Sequence, residues 1–275
     1  MTMFRKMHGL GNDFVVFDAR EGAVGLTSAM VRRLADRHFG IGCDTVVVIG
    51  PGGAIADASL LFYNADGGET ESCGNATRCA ARFLMDERGL ARVKLSSRGG
   101  MLACRDAGDG LVAVDMGMPK LDWKEIPLAE AVDTKEFALT IEGVRVNASA
   151  VSVGNPHCVL FVPDAAGAPV AALGPRIEKL PLFPSRVNVE FAQVLDSGRI
   201  RMRVWERGVG ITLACGTGAC ATAVAAARRG LTERKVELVL DGGSLTIDWL
   251  ADDHVWMTGP VEMPFQGDLD LAYFA

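Results

Sequence analysis

The sequence predicts an α+β protein of two similar domains related by a pseudo-twofold axis, each a mixed β-sheet curled around one buried helix. Three observations carry this. The first is an internal repeat. Gly11-Asn12-Asp13-Phe14-Val15-Val16 returns as Gly154-Asn155-Pro156-His157-Cys158-Val159, offset by 143. Asn64-x3-Gly68-x4-Cys73-Gly74 returns as Glu206-x3-Gly210-x4-Cys215-Gly216, offset by 142. The second is the dominance of β-branched or alternating runs over helical ones. The third is the small, apolar character of Ala76 to Met85 and Ala219 to Ala227, which suits a helix closely surrounded by strands.

In chain order, the pattern predicts strands over Met3 to His8 and Asp13 to Asp18, then a short amphipathic helix over Met30 to Leu34. Strands follow over Thr45 to Ile49 and Leu60 to Asn64, a helix starts at Gly74, and strands return over Arg92 to Ser97 and Leu111 to Asp115. The second half repeats the order, with a short helix over Arg176 to Leu180, a strand over Val187 to Val194 and a helix starting at Gly216. The turn-prone Gly117-Met118-Pro119 marks the boundary. The expected domains are residues 1–118, to which the tail 263–275 returns, and residues 119–262.

Composition narrows the function. The chain has 275 residues, a net charge of −6 and no long Lys/Arg run. A nucleic-acid partner or an anionic membrane surface is not expected. No window of about 18 apolar residues offers a spanning helix. The opening Met1 to His8 lacks the apolar stretch of a signal peptide. Seven cysteines, an odd number, do not form a disulfide framework. These features together predict a cytoplasmic protein with reduced thiols.

The chemistry lies in two of those cysteines. Cys73-Gly74-Asn75-Ala76 and Cys215-Gly216-Thr217-Gly218 each read as a turn feeding a helix. At a helix start, unpaired N–H groups and the macrodipole favour a thiolate or a bound carboxylate. A thiol pKa of about 8.5 is expected to fall there. Gly74 and Gly216 admit a ligand close to the backbone, and Asn75 and Thr217 add side-chain donors. A twofold axis would set the two helix starts on opposite sides of one cleft. One thiolate would remove an α-proton while the opposite thiol returns one to the other face, inverting a stereocentre. Cys79, Cys104, Cys158 and Cys220 read as small buried hydrophobes. Cys43, in the Gly40-Ile41-Gly42 turn, stays open. Zinc is disfavoured, because the spacings are Cys-x5-Cys and Cys-x4-Cys inside helices. A Cys nucleophile with His157 as base would leave the second cysteine unexplained.

These segments resemble the diaminopimelate epimerase family. The resemblance rests on Lys6 to Phe14, on Glu71-Ser72-Cys73-Gly74-Asn75-Ala76-Thr77-Arg78-Cys79, on Gly154 to His157 and on Arg186-Val187-Asn188. Trp205-Glu206-Arg207-Gly208 leading to Ala214-Cys215-Gly216-Thr217-Gly218-Ala219 completes it. The resemblance implies two barrel-like domains, a homodimer, a small amino-acid substrate, and no pyridoxal phosphate, other cofactor or metal. It implies Cys73 and Cys215 as catalytic bases in the interconversion of LL- and meso-diaminopimelate, a step toward lysine and cell-wall precursors. Asn12, Thr45, Asn64, Asn155 and Asn188 fall at substrate-binding positions. Gly74-Asn75 and Gly216-Thr217 would hold the reacting carboxylate. Glu206 and Arg207 would meet the substrate's far end, and His157 and Glu206 would tune the thiols.

Two positions depart from the family pattern. Thr45 stands where a glutamine is usual, so that contact is lost or bridged by water. Ile211 replaces an acidic residue. The competing readings are a racemase of the same architecture for histidine or hydroxyproline, a dehydratase or isomerase of the same double-domain shape, and a non-catalytic binder of a small zwitterion. Retention of Glu206-Arg207 and of both thiols favours diaminopimelate.

Overall fold

The computed structural model describes residues 1–71, 73–141 and 143–275; Ser72, inside one of the motifs quoted above, lies outside them. The first half runs β1 (Thr2–Gly9), β2 (Asn12–Asp18), α1 (Ser28–Ala35), β3 (Thr45–Pro51), β4 (Ala58–Asn64), β5 (Glu69–Thr70), α2 (Gly74–Arg88), β6 (Arg92–Ser97), β7 (Gly100–Asp106) and β8 (Leu111–Asp115). The second runs β9 (Phe137–Ile141), β10 (Val144–Ser152), β11 (Pro156–Phe161), α3 (Val170–Ile177), β12 (Asn188–Asp196), β13 (Arg199–Glu206), β14 (Gly210–Ile211), α4 (Gly216–Arg228), β15 (Lys235–Leu240) and β16 (Gly243–Trp249). Strands β17 (Val255–Pro260) and β18 (Glu262–Leu269) close the chain. Contacts group Met1–Val114 with Thr258–Ala275 in one unit and Asp115–Met257 in the other.

The repeat read in the sequence is a repeat of strand pairing. In the first unit β1 pairs antiparallel with β2, β2 parallel with β3, β3 antiparallel with β4, and β4 parallel with β6. In the second, β10, β11, β12, β13 and β15 follow in the same order with the same directions. Even the register agrees. Phe14 lies opposite Thr45, and 143 residues later His157 lies opposite Asn188. In each unit one mostly buried helix, α2 or α4, packs against several of the strands. Its small side chains allow that approach: Ala76, Cys79, Ala80 and Ala81 in one, Ala219, Cys220, Ala221 and Ala223 in the other, are buried. Every strand expected from the pattern forms.

One expected helix is misplaced. The second unit's short helix is α3, Val170–Ile177, six residues upstream of the predicted start at Arg176. It follows Pro169 and buries Val170, Gly174 and Ile177. Beyond Ile177 the chain turns towards Pro181 and Pro184, which cannot continue a helix. Gly174 is required by close approach, since a Cβ there would stand 2.5 Å from the Trp205 side chain.

Turn chemistry sets the entry of the functional strands. Leu10 and Gly11 both have positive φ (58° and 82°), a two-residue hairpin that delivers Asn12 to the start of β2. After α1 the chain folds back on the helix end. The N–H groups of Ile41 and Gly42 reach the carbonyl of Leu34, and that of Cys43 reaches Ala35. Only glycine fits at position 40, where a Cβ would lie 2.0 Å from the Arg33 carbonyl oxygen. This cap places Asp44 and Thr45 at the head of β3. Among the described residues no helix is long and apolar enough to cross a membrane.

Candidate active site

Each unit presents a cysteine as the cap of its buried helix. Cys73 and Cys215 both have extended backbones (φ −148°, ψ 103° and φ −120°, ψ 108°) immediately before the first helical residue. Their carbonyls accept from Thr77 and Ala219, both at 2.9 Å, and start the helical ladder. That geometry leaves the first-turn N–H groups beside each sulfur facing out of the ladder. Each helix begins with glycine, which keeps those groups approachable.

In the first unit the residues around the α2 start form a chain of polar contacts. Asn75 Nδ2 donates to Asn12 Oδ1 at 3.1 Å, and Asn12 Nδ2 donates to Asp44 Oδ2 at 2.9 Å. Asp44 is held by Arg37, whose guanidinium also forks onto Asp13 at 2.9 Å. Lys6 meets the same Asp13 and the Gly42 carbonyl. Burial works against the charged form of Asp13, yet hydrogen bonds from Arg37 and Lys6 outweigh it and hold the carboxyl well below its usual range. Asn12, Asn75 and Gly74 are thus brought together with Cys73. Thr45 is buried and opposite the exposed Asn64 in the β3–β4 register.

In the second unit a longer network surrounds Cys215. Asn155 Nδ2 donates to Thr217 Oγ1 at 3.3 Å, and Thr217 Oγ1 lies 3.5 Å from the Cys215 sulfur. Gly218 N–H donates to that sulfur at 3.4 Å. His157, fully buried, contacts Asn155 Oδ1 through Nε2 at 2.9 Å and Glu190 Oε1 through Nδ1 at 2.6 Å. Glu206 accepts from the Thr212 hydroxyl. Asn188 is buried; it donates to the Pro156 carbonyl at 3.2 Å and accepts from the Arg207 N–H at 2.8 Å. The Arg207 guanidinium is exposed and reaches the Ser185 carbonyl at 2.9 Å.

The expectation that both helix starts lower a thiol pKa is corrected at Cys215. Burial comes first, then the charges of Glu206 and Glu190, and together they push this thiol well above its ordinary value. The Thr217 hydroxyl and the Gly218 N–H offset only part of that. A helix terminus contributes about 0.3–1 kcal/mol, whereas full burial moves a pKa by as much as roughly 3–5 units. Burial also raises Glu206 and Glu190 above the usual carboxylate range. Cys43 is buried as well, its thiol pushed up to about 12 by desolvation. Cys79, Cys104, Cys158 and Cys220 are buried.

Sequence reasoning missed three carboxylates. Asp44 anchors Asn12. Glu178, buried at the C-cap of α3, accepts from Trp205 Nε1 at 2.7 Å and from the Gly208 N–H at 3.2 Å, so it braces the turn that carries Glu206 and Arg207. Glu190 lies beside Gly218, in the first turn of the helix that Cys215 caps. Its signal was present, as the lone carboxylate inside the apolar run Val187 to Val194. Ile211, exposed on β14, pairs with Trp205 in the β13–β14 ladder. Among the described residues no group of three His, Cys, Asp or Glu side chains is placed to hold a metal ion.

Each unit can therefore present a thiol and a row of N–H groups to a carboxylate-bearing molecule. A family model described as diaminopimelate epimerase matches residues 4–121 and 149–264. The chain is 53% identical over 267 residues to the diaminopimelate epimerase of Rhodospirillum centenum, covering 97% of this chain and 91% of the relative. It is 49% identical to that of Acidiphilium cryptum, covering 99% and 98%. Among solved structures, a probable proline racemase from Agrobacterium radiobacter superposes with a TM-score of 0.69 at 18% identity, covering 98% of this chain and 93% of that one. A hydroxyproline epimerase from Agrobacterium vitis gives 0.68 at 15% identity, covering 97% and 91%. At those identities the likeness is one of fold.

Proposed function

The chain belongs to the diaminopimelate epimerase family, and from that membership we propose a two-thiol epimerisation that interconverts LL- and meso-2,6-diaminopimelate. It is an isomerase of lysine and peptidoglycan-precursor biosynthesis. The observation that carries the mechanism is the pair of cysteines, each capping the equivalent helix of a duplicated fold.

In the proposed reaction one sulfur takes the α-proton, so a C–H bond breaks and an S–H bond forms. The other thiol gives its proton to the opposite face, restoring the C–H bond with inverted configuration. Electron density moves meanwhile into the α-carboxylate, and the N–H groups of Gly74-Asn75 and Gly216-Thr217 stabilise it. The raised pKa of Cys215 suits it to begin as the protonated donor, with Cys73 as acceptor. Asn12, Asn64, Asn155 and Asn188 bind the substrate's polar groups. Arg207 clamps the distal carboxylate and Glu206 meets its ammonium, with Glu206 also setting the thiol beside it. Thr45 completes the pocket wall beside Asn64. His157 acts on the thiols through Asn155.

The chemistry calls for neither pyridoxal phosphate nor a metal, and the setting is the cytoplasm, where thiols stay reduced. We further infer that residues 1–118 with the C-terminal tail, and residues 119–262, act as two epimerase-like domains, and that the enzyme works as a homodimer. A racemase of histidine or hydroxyproline would have no use for the Arg207 clamp.

The test is incubation with LL-diaminopimelate after exhaustive dialysis against a chelator, followed by chiral chromatography. The meso isomer is expected to accumulate at an undiminished rate with no cofactor added. Absence of meso product, or activity that returns only with metal or pyridoxal phosphate, would contradict the reading.

A further inference from the structure

One matched pair of buried positions differs in chemical kind between the two copies of the fold. In the first unit Phe14 and Val47 stand on the adjacent parallel strands β2 and β3, both fully buried. In the second, 143 residues later, the same places on β11 and β12 hold His157 and Glu190, also fully buried. Packing alone is thus met by an aromatic and an aliphatic side chain. The second unit holds an ionisable pair there instead, although a buried carboxylate is costly unless it is fully bonded. Glu190 is not fully bonded: Oε1 meets His157 Nδ1 at 2.6 Å, while Oε2 is buried with no hydrogen-bond partner among the described residues.

The carboxylate also lies against the first turn of α4. A Cβ on Gly218 would stand 2.8 Å from Glu190 Oε1 and 3.3 Å from the Cys215 sulfur. From Glu190 a continuous path leads to that sulfur, through His157 Nδ1 and Nε2, Asn155 Oδ1 and Nδ2, and the Thr217 hydroxyl. Because Asn155 turns its amide nitrogen to Thr217, its oxygen faces the imidazole. His157 Nε2 therefore donates to Asn155, and Nδ1 is left to meet Glu190.

We propose that Glu190 is a positioning residue for Cys215, holding His157 so that Asn155 and Thr217 are fixed against the sulfur. This rests on the two-thiol reading above. The groups that face Glu190 are His157 and Cys158 on β11, Glu206 on β13 and Cys215 at the start of α4. The negative charge of Glu190 raises the Cys215 thiol. Removing that charge lets the thiolate form at lower pH, while the loss of the anchored imidazole loosens Asn155 and Thr217.

The experiment compares Glu190→Gln, Glu190→Val and the double variant His157→Phe/Glu190→Val, which carries the residues of the first unit. All three are expected to stay folded by circular dichroism. Turnover with diaminopimelate should fall at least tenfold, with KM changed less than threefold. The double variant should be no worse than Glu190→Val, since the pair acts as a unit. In parallel, the rate of Cys215 alkylation by iodoacetamide is measured against pH in the absence of substrate. In Glu190→Gln its midpoint should move to lower pH. Wild-type turnover and an unmoved alkylation midpoint in the folded Gln and Val variants would overturn the assignment. A wild-type chain that fails to epimerise diaminopimelate, while Glu190→Gln still shifts the alkylation midpoint, would remove the proposed function and leave this role standing.

Discussion

Replacing either Cys73 or Cys215 by alanine is expected to lower the rate of inversion by about a thousandfold or more, with the fold retained. A positioned acid or base contributes roughly 10²–10⁴-fold, and in the proposed reaction each thiol performs one of two obligatory proton transfers. Neither variant should unfold the chain. The bonds from Thr77 and Ala219 that start α2 and α4 end on backbone carbonyls, so they survive the substitution. Cys215→Ala also loses the Gly218 N–H contact to sulfur, a weak acceptor, so the cost to the cap is small. Chiral chromatography gives the rate and thermal melts give the stability. A folded variant of either kind that keeps more than a tenth of wild-type turnover would contradict the two-thiol assignment.

Arg207→Met is expected to raise KM for diaminopimelate by about 30-fold, which corresponds to about 2 kcal/mol for a charged hydrogen-bonded contact, and to leave kcat within a few-fold. The side chain is exposed, with one bond to the Ser185 carbonyl, so its removal should barely change stability. The backbone of Arg207 keeps its bond to Asn188, so the turn persists. Lysine at this position should recover part of the affinity, because it retains the charge and loses the fork. The measurement is steady-state kinetics with diaminopimelate and with an amino acid bearing a neutral side chain. Equal losses for both substrates would mean that Arg207 supports the turn rather than the distal carboxylate.

Much of this architecture was legible in the sequence because duplication leaves marks that survive divergence. Asn12 and Asn155, or Cys73 and Cys215, keep their spacing because the strand pairing between them is the same in both units. Helix α3 was not legible, since the amphipathic run Arg176 to Leu180 satisfies a helical period while the prolines around it decide where the helix can lie. Glu190 was hidden by alternation, because a single carboxylate in a β run reads as a solvent-facing position. Only the pairing of β11 with β12 brings its carboxylate to the His157 ring, two positions along the ladder from Asn188. The Cys215 thiol was misjudged for a related reason. A helix start is visible in sequence, but the burial and the two carboxylates that outweigh it arrive from distant strands.

In the proposed reaction two different thiols exchange protons with one α-carbon. Early turnover of LL-diaminopimelate in deuterium oxide tests it most directly, with mass spectrometry of both isomers. Two thiols predict meso product carrying one solvent deuterium at the inverted carbon, while recovered LL substrate stays almost unlabelled. A single base serving both faces would return substrate-derived protium to the product, and that result would contradict the account.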